Sequence, residues 1–143
     1  WLPHDPLSAG HDNDLPSLRT IARFMRACAT ASGLFKWRSL EYTVSRHSRR
    51  QQEASSNPTD LRRWQAAVNE FRSLRPLFFT SSQHCLFSSL ALAEFLALGG
   101  FDVRWVFGVQ FAPFAAHCWL QQGNVVFNDN LEHVRRFTPI MIA

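Results

Sequence analysis

The sequence has one lysine, few cysteines and no long apolar run, and each shortage removes a class of protein. Its most apolar stretch, Leu86 to Leu98, is broken by Ser88, Ser89 and Glu94. It falls short of the roughly 18–20 residues that a membrane span needs. No segment combines the basic, apolar and small-residue regions of a signal peptide. The cysteines are Cys28, Cys85 and Cys118, an odd number. Without an export signal they argue against a disulfide scaffold and point to a reducing cytoplasm. Lys36 is the only lysine among 15 basic residues, so arginine carries the formal charge of +4. The arginines are scattered, with pairs at Arg49-Arg50, Arg62-Arg63 and Arg135-Arg136, and no nucleic-acid-binding motif accompanies them. Neither a membrane nor a nucleic acid is expected as a partner. No internal repeat is visible.

What is present suits a folded domain. The chain has 143 residues, 46% hydrophobic and 18% charged, which is enough for one buried core. It begins at Trp1 without a methionine, so a longer parent protein is expected. Residues 1–13 read as an irregular lead-in. Leu18, Ile21, Met25 and Cys28 recur at helical spacing and predict a first helix near 15–30. Leu34, Trp37, Leu40 and Val44 predict a second, fading into the polar stretch Ser45–Ser56. Asn57-Pro58-Thr59-Asp60 signals a loop and a helix start, with Thr59 as N-cap. Leu61, Trp64, Val68 and Phe71 give a third helix one apolar stripe, which Pro76 ends. Trp37 and Trp64 are expected to pack inward.

From Phe78 the texture changes. Ser81 and Ser82 can cap a helix over Gln83–Leu98 that is apolar nearly all round and stops at Gly99-Gly100. A helix without a polar face is buried, usually against a sheet. β-rich segments follow at about 102–109, 115–122, 125–129 and 136–142. The expected class is α+β: a helical N-terminal half over 1–77, then over 78–143 a buried helix packed on an antiparallel sheet.

Cys85 falls in the first turn of that helix. Unpaired N–H groups and partial positive charge at a helix start favour a thiolate and can hold an oxyanion. Downstream, His117 and Asp129 lie on segments joined by Gln122-Gly123-Asn124. Side chains of an antiparallel pair share a face only when directly opposite or an even number of residues away. A three-residue turn centred on Gly123 sets 121 opposite 125 and 117 opposite 129. His117 and Asp129 would then be direct neighbours with Cβ atoms ~4.5–5.5 Å apart. A two-residue turn would set Asp129 opposite Cys118 instead, on the wrong face. With Cys85 as nucleophile, His117 as base and acid, and Asp129 as orienting carboxylate, the three form a candidate triad. Trp119, two residues after His117, should share its face and shield the imidazole. His84-Cys85 and His117-Cys118 offer four zinc-type donors. His117 and Cys118 point opposite ways along a strand, however, and neither C-x-x-C nor H-x-x-x-H spacing is present, so no metal is expected.

The run Cys85-Leu86-Phe87-Ser88-Ser89-Leu90, then Gly100-Phe101-Asp102-Val103, Val106-Phe107-Gly108-Val109, Pro113-Phe114, His117-Cys118-Trp119 and Asn128-Asp129, resembles the lasso-peptide maturation proteases. These are the leader peptidase B proteins of the transglutaminase-like, papain-like superfamily. The likeness is clear over about 78–143 and looser upstream. It implies a transglutaminase-like core and a Cys85-His117-Asp129 peptidase that cuts the leader from a ribosomally made precursor, commonly after a Thr. It implies as partners the precursor peptide, a leader-binding domain, fused upstream or separate, and a cyclase that closes a macrolactam on the new N-terminus. It also implies a bacterial cytoplasmic setting. No cofactor is expected in this domain, although ATP dependence is associated with the family. Two departures stand out: Cys118 replaces a more usual Ala or Ser and adds an oxidation liability, and Gln121-Gln122 stand where an acidic residue is common.

Two alternatives share the scaffold. An acyltransferase would pass the thioester to an amine instead of water. An inert peptide-binding module would keep the fold without chemistry.

Overall fold

The computed structural model describes residues 16–53, 61–77 and 85–143. Three helices come first: α1 (Leu18–Trp37), α2 (Leu40–Glu53) and α3 (Leu61–Leu74), the last running into a 3-10 turn over Arg75–Leu77. Then follow α4 (Cys85–Leu98), β1 (Arg104–Phe111), β2 (Phe114–Gln122), β3 (Val125–Val126), the one-turn α5 (Leu131–Val134) and β4 (Thr138–Ile142). The architecture is α+β, as the patterning predicts. Among the described residues no helix is long and apolar enough to cross a membrane. Thr59, Ser81, Ser82, His84 and the expected start of the fourth helix lie outside the described residues.

Helix α1 starts where the Ser17 hydroxyl accepts the Thr20 amide at 3.2 Å. It buries Phe24, Ala27, Ala31 and Leu34, a stripe one position away from the predicted Leu18, Ile21, Met25 and Cys28. Leu18 and Met25 are exposed, while Ile21 and Cys28 flank the buried stripe. Both stripes have helical period, and the one with small Ala27 and Ala31 at its centre lets α1 approach α4 closely. The helix continues through Leu34 and Trp37, which the sequence pattern gives to a second helix. The break comes at Arg38 and Ser39, and Trp37 is 76% exposed instead of packing inward. Helix α2 persists through the polar stretch to Glu53 because its inner face has targets. Arg46 and Arg50 hold the buried Glu94 carboxylate, and His47 Nε2 bonds the Val103 carbonyl at 2.7 Å.

Helix α3 buries Trp64, Val68 and Phe71 as the stripe predicts. Phe24, Phe71 and Phe95 join α1, α3 and α4, with ring centroids 5.2 to 6.4 Å apart. Helix α4 is buried continuously from Ser89 to Leu96, which accounts for its lack of a polar face. It ends at Gly100, whose φ of +79° suits glycine.

The sheet has the order β3-β2-β1-β4 and is antiparallel throughout. Phe107 pairs with Cys118 and Trp105 with Leu120, and this face lies on α4. The other face carries Val106 and Trp119, which pack with Val126, Val134 and Phe137 as a second, smaller cluster. Strand β3 is much shorter than the predicted 125–129. Its pairs are Gln121 with Val126 and Gln122 with Val125, so the turn has two residues, Gly123-Asn124, and the three-residue turn is overturned. Gly123 takes φ of +55°, a natural setting for a tight hairpin.

Candidate active site

The short β3 decides the geometry around β2. The Phe127 amide still reaches the Leu120 carbonyl at 3.0 Å, but the chain then bends over 127–129. Helix α3 holds that bend. Trp64 stacks on the Phe127 ring at 5.2 Å and 11°, and Arg72 donates to the Phe127 carbonyl at 3.2 Å. The Leu120 amide, left without a strand partner, is taken by Asn128 Oδ1 at 2.7 Å. Alternation along a strand then turns the Cys118 amide to the same outer edge, beyond the last paired residue. Cys85, the first residue of α4, meets β2 at this open edge.

Cys118 and His117 both act on the charge of the Cys85 sulfur. The Cys118 thiol contributes most, followed by the His117 imidazole and the Cys118 backbone amide. Together they outweigh partial burial and lower the Cys85 pKa to about 4. His117 and Cys118 do point to opposite faces of β2, as alternation requires. Because Cys85 sits at the strand's edge, it is reached from both.

His117 packs against Trp119 at 6.2 Å and 23°, confirming the shared face, and against Phe137 at 5.2 Å. Gly108, directly across from His117 on β1, leaves room for this stack. A Cβ there would stand 2.9 Å from the Trp119 ring and 3.0 Å from Phe137 Cβ. His117 Nε2 bonds Asp129 Oδ2, leaving Nδ1 for the thiol. Burial opposes the imidazolium, yet the Asp129 and Cys85 interactions raise the His117 pKa to about 9. Cys85 and His117 therefore form a thiolate–imidazolium pair near neutral pH.

Asp129 reaches His117 from the bend, where the strand face rule no longer applies. Burial resists its charge, but bonds from His117, His133 and the Asn130 amide bring its pKa down to about 2. His133 Nδ1 donates to Oδ2 at 2.8 Å, and the Asn130 amide to Oδ1 at 2.6 Å. Asn130 also caps α5 by accepting the Glu132 amide at 2.8 Å, which fixes His133 one turn beyond Asp129. Thus Asn128 closes the β2 edge, Asp129 holds His117 and Asn130 starts the helix that supplies His133.

The structure brings together all three predicted site residues. Sequence reasoning missed His133 and the Cys118 contact. The i,i+4 spacing of Asp129 and His133 was the available signal for the first; the second has none in the sequence. His117, Asp129 and His133 present ligand-type atoms within 4.8 Å of one another, a spacing that a divalent ion would fit. Their mutual hydrogen bonds already account for the cluster.

The description of the Transglutaminase-like superfamily matches residues 36–142, well over half of the chain. The protein belongs to the transglutaminase-like superfamily. No curated protein and no solved structure matches it. The transglutaminase-like scaffold is of the cysteine-peptidase and acyltransferase type, and the helix-on-antiparallel-sheet arrangement agrees with its core.

Proposed function

We propose that this transglutaminase-like protein is a cysteine peptidase that removes the leader from a lasso-peptide precursor, with Cys85, His117 and Asp129 as its catalytic residues. The observation that supports it most is the grouping of Cys85, His117 and Asp129, with Asp129 bonding His117 Nε2 and the Cys85 pKa lowered beside His117. The lasso assignment rests on the motif resemblance over residues 78–143.

In this reading the Cys85 thiolate attacks the scissile carbonyl, and amides at the start of α4, including that of Cys85, receive the oxyanion. His117 then gives its Nδ1 proton to the departing amine, and a thioester remains on Cys85. A water, deprotonated by His117, hydrolyses the thioester and frees the thiol. Asp129 keeps Nε2–H pointed away from the substrate, so Nδ1 stays available in both steps. The protein's contribution is electrostatic and geometric; the steps use no cofactor. The expected partners are the precursor, a leader-binding domain and a macrolactam-forming cyclase.

The test is mass spectrometry of a lasso-type precursor mixed with its leader-binding domain and this protein or its Cys85→Ala variant, with and without ATP. Cleavage at one bond by the native protein alone supports the reading. A product joined to an added amine would establish acyl transfer instead. No product from folded protein and bound leader would favour an inert module.

A further inference from the structure

Two cysteines meet at this site, and the peptidase chemistry uses only one. Cys85 and Ser89 stand one turn apart on α4, so they share a helix face. Ser89 Oγ lies 3.3 Å from Cys118 Sγ, so Cys118 meets the face of α4 that Cys85 shares, and Cys85 packs against the cluster that contains Cys118. The indole of Trp105 donates to the same Ser89 hydroxyl at 3.0 Å, fixing its position. Cys118 is only 2% exposed, whereas Cys85 is half-buried. An oxidant from solvent therefore reaches Cys85 first and finds Cys118 behind it.

We propose that Cys85 and Cys118 form a reversible disulfide when a hydroperoxide oxidises the site, with Cys118 as the resolving thiol. In the first step the Cys85 sulfur attacks one peroxide oxygen. An S–O bond forms, the O–O bond breaks, and the leaving oxygen departs as water or an alcohol after taking a proton. Cys85 is then a sulfenic acid. In the second step the Cys118 sulfur attacks Cys85. The S–S bond forms, the S–O bond breaks, and the hydroxyl leaves as water with the Cys118 proton. Two thiols have lost two electrons, and the peroxide has gained them.

The charge arrangement supports this order. Contact with the Cys85 thiolate, and then burial, raise the Cys118 pKa, so Cys118 is the inert partner while Cys85 is reduced. Sulfenic acid formation removes that negative charge and frees Cys118 to lose its proton. Cys28 is a built-in control: burial raises its pKa to about 11 and it takes no part. The disulfide would block the nucleophile and spare it from irreversible oxidation to the sulfinic acid.

The oxidation uses the nucleophile of the proposed peptidase but is read by mass rather than by cleavage. A protein that cuts no precursor can therefore still form the disulfide, and a failed disulfide leaves the peptidase reading intact. The experiment treats the reduced protein with one equivalent of hydrogen peroxide and records intact mass, fragment masses and thiol count before and after dithiothreitol. The native chain is expected to lose two hydrogens, yield a fragment joining Cys85 to Cys118, and fall from three thiols to one and back to three. The Cys118→Ser variant, or Cys118→Ala should serine not fold, is expected to gain one oxygen at Cys85 that dithiothreitol removes, and with a further equivalent of peroxide a second oxygen that dithiothreitol does not remove. Should both variants misfold, fragment mapping of the native chain decides alone. Added oxygens on native Cys85, a bond to Cys28, or a link between two chains would each overturn the proposal.

Discussion

Continued past Val126, the observed β2–β3 register would set Asn130 opposite His117, yet it is Asp129 that bonds His117. The bend over 127–129, held by Trp64 and Arg72, replaces strand alternation as the device that aims the carboxylate. Much of the site's behaviour follows from that substitution.

Asp129→Asn keeps the shape but removes the charge that sustains the imidazolium. The His117 pKa should fall from about 9, since burial is then less opposed. If the peptidase reading holds, turnover should drop by roughly 100- to 10,000-fold, the usual scale for an acid–base partner. Loss of less than a few-fold, in a protein with normal iodoacetamide reactivity, would rule out the assigned role.

The pH dependence has a defined sign. Above about 4 the Cys85 thiol is ionised, and below about 9 His117 keeps its proton. Cleavage should therefore rise as pH increases through the first value and decline as it passes the second. Iodoacetamide alkylation of Cys85 checks the acidic limb without any substrate. Its rate should already be near its plateau at about pH 6, where an ordinary thiol of pKa ~8.5 is almost unreactive.

His133 acts on Asp129 and is expected to be a positioning residue. His133→Ala removes one of the bonds that lower the Asp129 pKa. Activity should fall less than in Asp129→Asn. His133→Asn, whose amide nitrogen can replace Nδ1, should recover most of the loss. Equal activity in all three proteins would show that His133 is a bystander.

Gly108→Ala puts a methyl group against Trp119 and Phe137 beneath His117. Overpacking of this kind costs about 1–3 kcal/mol. Thermal unfolding should show a lower midpoint, and the Cys85 alkylation profile should shift toward that of an ordinary thiol as His117 is displaced. An unchanged midpoint would mean that the outer face yields without cost.

Much was legible in the residues because much of the fold is locally encoded. The all-round apolarity of 85–98 dictated a buried helix, and Gly99-Gly100 its end. The two-residue spacing of His117 and Trp119 fixed their shared face, since alternation is a property of any strand. Cys85 at a helix start, followed by His117 and Asp129, named the candidate triad. Patterning misjudged the elements where a competing apolar residue could go either way. Trp37 fits a helical stripe but lies beyond the reach of the core, and α2 stays helical through polar residues that bond Glu94 and Val103.

Only the tertiary structure decided where strand pairing stops, and the rest of the site depends on it. Periodicity reports which side of an element a residue occupies, but not what an edge left open will meet. The sequence by itself determined the α+β order, the buried helix and the residues capable of the chemistry. Packing of α3 against Phe127 brought Asp129 to His117, and the open edge of β2 brought Cys118 to Cys85. The packing of α3 on Phe127 and the meeting of Cys118 with Cys85 each join residues far apart in the chain, so no local pattern records them.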